Sequence, residues 1–480
     1  MARKKKTPKP KKHDYSVASN GGRASVEKQG KKLDISAVSI VDNTVVSKNR
    51  EIWAIYKVQN QAYDFLSVQG KVSLASNIVL ALQNLVNNRQ EEVDFWNLNT
   101  SAPLDVNLWS KQFLEETTNV NRPRNFYDFL NHQADFLLNQ GFLTKVSYIG
   151  ICLGKRGSLN MSNFNIVEAG FKGGVDLVKK WMREIGVSTV TDLSPDEELL
   201  YRNIEKEYFR TFSRGFLKAE RATAEEILLL IKRQFYPAMP TPYLDVDYDN
   251  RLGSGDIVRE TNGVIENHFR WLKFSQFFRQ TEFKTYRATL TFSKFPPEVN
   301  FPGPIPFLYL PNGLTFPFST FSRFTMIPTE SMKKSLEKKA KEQKDELSNL
   351  SAGMDAYDNM ISGGNSTGTF DAIQDNQEIM AIINSDKTPW TRGTYRLVVE
   401  AQSEEELRDM VTEVKDAYSR QDINLTWTSG DQLELFLEQM PGDRLRESSF
   451  EQTTNLAFFG ASGFNFSSDV GDKIYGRELI

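Results

Sequence analysis

Between Thr394 and Gly442 the hydrophobic period switches back and forth, and this stretch constrains the fold more than any other. Tyr395, Leu397, Val399 and Ala401 recur at every second residue, the period of a strand. Ser403 and Glu406 have the S-x-x-E spacing of a capping box, in which each side chain satisfies an N–H that the first helical turn leaves open. Leu407, Met410, Val411, Val414, Ala417 and Tyr418 then follow at helical spacing. Ile423, Leu425 and Trp427 return to alternation. Ser429 and Gln432 repeat the capping-box pattern, and Leu433, Phe436 and Leu437 predict a helix that Pro441-Gly442 stops. Such a chain must lay helices over a sheet, so residues 389–480 are expected to hold a β-α-β-α unit and a linker.

The preceding stretch, 329–388, reads as a long charged helical hairpin. Leu336, Ala340, Gln343, Leu347, Leu350, Met354, Tyr357 and Ile361 alternate by four and three, which lines one seam of a helix, as in a coiled-coil arm. Thr329 and Glu330 supply an N-cap and a first-turn acid. Gly363-Gly364-Asn365 breaks the run, and Phe370 to Ser385 is expected to fold back on it.

Toward the N-terminus, residues 33–170 predict an α+β domain. Its expected elements are a strand at Glu51–Val58, a helix at Gly70–Asn88 with Leu74, Ile78, Leu82 and Leu85 on one stripe, a strand at Val93–Leu98, a helix at Asn125–Asn139 and a strand at Lys145–Leu153. This order is a loose echo of the 394–440 unit. In the strand, Ile52, Ala54, Tyr56 and Val58 lie opposite Trp53 and Ile55. Residues 171–242 read as a helical subdomain. Val175, Leu177, Val178, Trp181, Met182 and Ile185 cluster at helical spacing, Ser194-Pro195 starts a helix, and Thr223 with Glu226 caps another lined by Ile227, Leu230, Ile231 and Phe235. Pro237, Pro240 and Pro242 close it. Residues 243–328 form an aromatic, proline-rich β region, in which Phe269, Trp271, Phe274, Phe277 and Phe278 precede a strand at Lys284–Phe295. The expected class is therefore α+β. An apolar content of 39% with 12% aromatics supplies packed cores and excludes a disordered chain.

Arg3, Lys4, Lys5, Lys6, Lys9, Lys11 and Lys12 occur within residues 1–13, which carry no acid. Without those seven charges the formal net charge falls from −3 to −10, so basic character is confined to a tail, expected to be disordered over 1–32. Near an anionic membrane each such residue is attracted by about 1 kcal/mol, and nucleic acid would attract them as well. A solvated tail with no partner is the other reading. The single cysteine, Cys152, forms no intramolecular disulfide and fits a reducing compartment. No apolar run approaches the roughly 18–20 residues of a spanning helix, and the charged N-terminus lacks a signal peptide's apolar core. A cytoplasmic location is expected.

Motifs that would carry chemistry fail on spacing. Gly150-Ile-Cys-Leu-Gly154-Lys155-Arg156 is one residue short of a phosphate loop and has arginine where a metal-binding hydroxyl belongs, so it reads as a strand end and turn. Gly363 to Thr369 contains no lysine. Asp245, Asp247, Asp249 and Asp256 match a calcium loop in part, but the position that needs glycine holds Asn250. His13, His132 and His268 lack ligand spacing, and Cys152 sits in an apolar strand. No catalytic, cofactor-binding or metal-ligating residue is expected, and the basic tail residues are the candidate partner- or anion-binding set.

The charged helix from Glu330, the strand leading into Ser403-Glu404-Glu405-Glu406-Leu407, and Phe436-Leu437-Glu438-Gln439-Met440-Pro441-Gly442 occur in an order that carries a resemblance. Over roughly residues 33–480 the chain resembles the N-terminal half of the large ATPases of conjugation and type IV secretion systems, of the TraE/TrbE or VirB-four type. In that family a phenylalanine-leucine…proline-glycine element precedes the nucleotide-binding half. The resemblance implies a non-motor docking and oligomerisation role at the inner face of the cell membrane. The implied partners are channel and coupling proteins and further copies of the chain, with DNA engaged indirectly. ATP and Mg would be bound in a C-terminal half, so the chain is expected to be a truncated or split product whose motor lies on another segment. The alternative is a free-standing nucleic-acid or membrane-surface binding protein anchored by its basic tail.

Overall fold

The computed structural model describes residues 33–103, 125–140, 143–155, 195–214, 217–237, 251–253, 264–278, 281–296, 301–302, 306–353 and 388–467, apart from residues 34, 50, 90, 315 and 317, together with Leu114, Ile257, Met380, Ala381 and Ile383. In chain order the elements are β1 (Ala37–Val41), β2 (Thr44–Ser47), β3 (Glu51–Val58), β4 (Gln61–Ala62), α1 (Val68–Arg89), β5 (Val93–Pro103), α2 (Phe126–Gln140), β6 (Leu143–Lys155), α3 (Pro195–Arg214), β7 (Glu220–Arg221) and α4 (Ala224–Phe235). The second half adds β8 (Arg251–Leu252), β9 (Val264–Asn267), β10 (Leu272–Phe278), β11 (Thr281–Lys294), β12 (Phe318–Ile327), α5 (Thr329–Gly353), β13 (Trp390–Ala401), α6 (Glu404–Ser419), β14 (Asn424–Trp427), α7 (Gln432–Glu438), β15 (Gln452–Asn455), α8 (Leu456–Gly460) and β16 (Phe466–Ser467). The fold is α+β, as the alternating periods require.

A 14-stranded sheet runs β8-β1-β2-β3-β6-β5-β12-β13-β11-β10-β9, with β7 against β3, β14 against β11 and β15 against β13. It crosses the boundaries drawn from the sequence. Segments 33–170, 243–328 and 389–480 all supply strands, and the seam between the two halves is the antiparallel pairing of β5 with β12 from Thr320↔Asn99 to Met326↔Val93. The echo between the halves is topological. Strands β3 and β5, joined through α1, both pair antiparallel with β6, which lies between them. Strands β13 and β14, joined through α6, likewise both pair antiparallel with β11. Each half thus contains a β-α-β unit split by an inserted strand.

Strand alternation feeds two cores. Ile52, Ala54, Tyr56 and Val58 join one core with Leu74, Ile78, Leu82 and Leu85 of α1 and Leu407, Val411, Val414 and Tyr418 of α6. Trp53 and Ile55 face the other way, into a core with Ile227, Leu230, Ile231 and Phe235 of α4 and Leu433, Phe436 and Leu437 of α7. Each such burial stabilises by roughly 1.5–3 kcal/mol. Of the helices expected as a subdomain at 171–242, the two described ones do not share a core of their own. Tyr201, Ile204, Tyr208 and Phe212 of α3 pack in the first core, whereas α4 packs in the second. Thr223 forms the expected box: its side chain accepts from Glu226 N while Glu226 accepts from Thr223 N.

Several expectations shift. β5 and β13 extend beyond the expected strands, and Leu272–Phe278, read as the approach to a strand, is itself a strand, because β11 is long enough to pair with it. In the charged hairpin, Met332 and Leu336 pack with Ile383 and Trp390, but Ala340 is exposed, so the seam is buried at the base of α5. The rest of the seam from Gln343, the break at Gly363 and most of the returning run lie outside the described side chains. The helical pattern at 175–185 lies outside the described residues.

Candidate functional site

Strands β11, β12 and β13 carry Arg287, Arg323 and Arg396 at positions that face the second core, and these arginines are 1%, 3% and 0% exposed. Buried guanidinium groups persist where their donors are satisfied and their charge is met. Here that role falls to α7 and the segment after it, Gln439 to Glu447, which lie over the arginines.

Arg323 donates Nε to Glu438 O at 2.6 Å and Nη2 to Met440 O at 2.5 Å. Glu438 O is at the end of α7, where the helix leaves acceptors without intrahelical donors, and Met440 O lies just beyond it, so a strand side chain acts as the helix cap. Arg396 donates Nε to Glu438 Oε1 at 3.3 Å, Nη1 to Thr291 Oγ1 at 2.7 Å and Nη2 to Glu447 O at 2.5 Å. Glu438 Oε2 accepts from the backbone N–H groups of Arg446 and Glu447, each at 3.2 Å. Arg287 donates to Gln234 Oε1 of α4 at 2.9 Å and to Gln439 Oε1. Arg446 closes the rim, with Nε on Asp443 Oδ1 and Nη2 on Asp443 Oδ2 at 2.9 Å, Nη1 on Glu434 at 3.1 Å and Nη2 on Ser36 Oγ at 3.2 Å.

Electrostatics follow the burial. Burial pushes the Arg323 guanidinium down to about 10, against Asp443, Glu438 and Glu51, which favour its charged form. Burial also lowers Arg287, opposed by Glu400. For Arg446 burial works downward, but the bonds to Asp443 and Glu434 outweigh it and leave the group raised. Burial raises the Asp431 carboxyl, with Glu447 and Glu434 adding to the shift.

Gln432 corrects the second capping box. The N-cap of α7 is Asp431, with no side-chain cap bond, and Gln432 is buried. Its Oε1 accepts from Thr289 N at 2.8 Å and its Nε2 donates to Thr289 O at 3.0 Å. On that edge of β11 the partner β10 ends opposite Arg287 and β14 begins opposite Leu290. The glutamine amide fills the gap between them as a substitute strand residue. Ser403 caps α6 as expected, but the return bond from Glu406 goes to Gln402 N. At Gly442, φ is +73° and a Cβ would lie 2.6 Å from Val45 Cγ1, so glycine is required where the segment turns away over β2.

The sequence-derived candidates fall elsewhere. Arg3, Lys4, Lys5, Lys6, Lys9, Lys11 and Lys12 lie outside the described residues, as do His13, Asp245, Asp247, Asp249 and Asp256. Gly150 to Lys155 is strand throughout rather than a strand end and turn: Gly150 pairs with Ile55 and Trp96, and Gly154 with Ile52. A Cβ on Gly150 would come 2.9 Å from Trp96 Cε3, so this glycine serves close packing. His132 is exposed on α2, and His268 stacks on Trp271 with centroids 3.6 Å apart. Cys152 is half-buried, with Sγ 3.7 Å from Gly154 O. Among the described residues no group of three or more His, Cys, Asp and Glu could hold a metal ion, and no helix is long and apolar enough to cross a membrane.

Arg287, Arg323 and Arg396 were hidden in the sequence because a charge in an alternating strand reads as a solvent face. The available signal was the chemistry of Phe436 to Gly442, a helix end with carbonyls that need donors. The arrangement holds main chain and positions a helix. No family model and no curated protein matches this chain.

Proposed function

We propose that the chain is the N-terminal, non-motor docking and oligomerisation part of an ATPase of the conjugation and type IV secretion type. It lies at the inner face of the cell membrane, contacts channel and coupling proteins, and leaves ATP hydrolysis to a C-terminal half. The observation that supports this reading best is the seating of Phe436–Gly442. In the resembled family this element leads toward the nucleotide-binding half, and here arginines from β11, β12 and β13 bind it to the central sheet. A base of this kind passes force or position between a motor and whatever the sheet and its helices contact.

The test is co-expression of the full chain, and of a form lacking residues 1–13, with membrane proteins of a conjugation channel, followed by detergent purification at low and high salt. Both forms are expected to retain the same channel proteins at high salt. Retention by the full chain alone, lost at high salt, would give the tail-anchored reading instead. Retention by neither form refutes the docking role.

A further inference from the structure

A small polar cavity lies where the two halves of the sheet meet. Thr100 of β5, Phe318 and Ser319 of β12, Val398 and Glu400 of β13, and Arg233 and Gln234 of α4 line it. It has about 20 Å³ of room for the centre of a water-sized body. That is room for at least one water-sized species, such as a small anion.

Its lining carries one guanidinium, Arg233, and one carboxylate, Glu400, with the Arg287 guanidinium beside that carboxylate. Arg233 lines the cavity, and its Nη1 is buried without a hydrogen-bond partner among the described residues. Arg287 backs the cavity: its Nη2 donates to Gln234 Oε1 at 2.9 Å and its Nη1 lies 3.5 Å from Glu400 Oε1. Arg287 is 1% exposed, and its Nε and Nη1 also lack a hydrogen-bond partner among the described residues. Glu400 therefore stands as one carboxylate against two guanidinium groups. The Thr100 and Ser319 hydroxyls, 2.9 Å apart, add rotatable donors. A guanidinium cut off from a counter-charge is unfavourable, and an anion that enters relieves that cost.

We propose that this cavity is a binding site for a single small monovalent anion, of which chloride is the physiological representative. The ion lies against Arg233, with Arg287 behind it, and ties α4 to β5, β12 and β13. Its role is to stabilise the junction of the two half-sheets.

The full chain is melted in a series of chloride concentrations at constant ionic strength, with gluconate as the replacing anion, and crystals are grown in bromide. Chloride and bromide are expected to raise the melting temperature by roughly 2–4 °C with saturation, and anomalous scattering is expected to place bromide beside Arg233. The Arg233→Met variant should lose the halide-specific rise. The Glu400→Gln variant, freed of the competing carboxylate, should reach saturation at lower chloride. A melting temperature that is the same in chloride and gluconate overturns the proposal. So does a cavity that holds water alone in bromide-grown crystals, or a Glu400→Gln variant that saturates at the same or higher chloride.

Discussion

Replacing Glu438 by glutamine removes the charge of the buried ion pair and leaves the size of the side chain unchanged. Glu438 and Arg396 are both 0% exposed, and their ion-pair distance is 3.3 Å. The carboxylate also accepts from Thr394 Oγ1 at 3.3 Å and from the N–H groups of Arg446 and Glu447 at 3.2 Å. An amide offers one oxygen, so its nitrogen would point at two of these donors, and Arg396 would keep its charge with no buried counter-charge. Removing one partner of a buried pair costs about 3–5 kcal/mol, and the misplaced donor falls within that range. Arg396→Met paired with Glu438→Leu removes the charge from both sides. The double variant should therefore be more stable than the sum of its single changes implies, by about 2–3 kcal/mol. Urea unfolding followed by far-UV circular dichroism reads this as midpoint shifts at constant slope. Additivity within about 0.5 kcal/mol, or a Glu438→Gln cost below about 1 kcal/mol, would refute the clamp.

Three further outcomes follow from local geometry. Gly442→Ala should destabilise by more than about 1 kcal/mol, because a left-handed backbone and the contact with Val45 oppose the methyl, and the same change should cost less in a Val45→Ala background in the same urea assay. Thr223→Ala should cost about 1 kcal/mol by opening the box at the start of α4, whereas Thr223→Ser should be near neutral. Burial raises the hydroxyl groups of Tyr56, Tyr395 and Tyr418 above the usual value of 10.0. Their protonated forms are favoured in the fold, so this stability is complete below pH 10 and is lost as pH rises further. Tyr→Phe changes at these three positions should accordingly remove only the part of the tyrosinate absorbance that rises together with unfolding.

The elements were legible where one residue type serves one purpose. Thr223 with Glu226 marked a helix start, and the stripes Leu74–Leu85 and Ile227–Phe235 marked buried faces, because helical spacing leaves a single face for the core. The assembly was not legible. Nothing local in Val93–Pro103 or Phe318–Ile327 tells that these strands pair, since antiparallel partners far apart in sequence are chosen by the whole sheet. Trp53 and Ile55, opposite Ile52 and Tyr56, were the clue that both faces of β3 are covered. With two covered faces, an arginine in a strand is a buried group in need of acceptors, and Arg323 and Arg396 meet that need at Glu438 and Met440. Gln432 misled for the same reason: a capping residue by spacing becomes a strand substitute once β11 lies beside it.

The proposed role is that of a base for a motor, with ATP hydrolysis left to a C-terminal half. Phosphate release by the purified full chain with ATP and Mg²⁺ tests this most directly. The predicted result is a rate equal to that of the protein-free control, with no saturable nucleotide binding. Turnover that rises with protein concentration and disappears in a Lys155→Ala variant would contradict it.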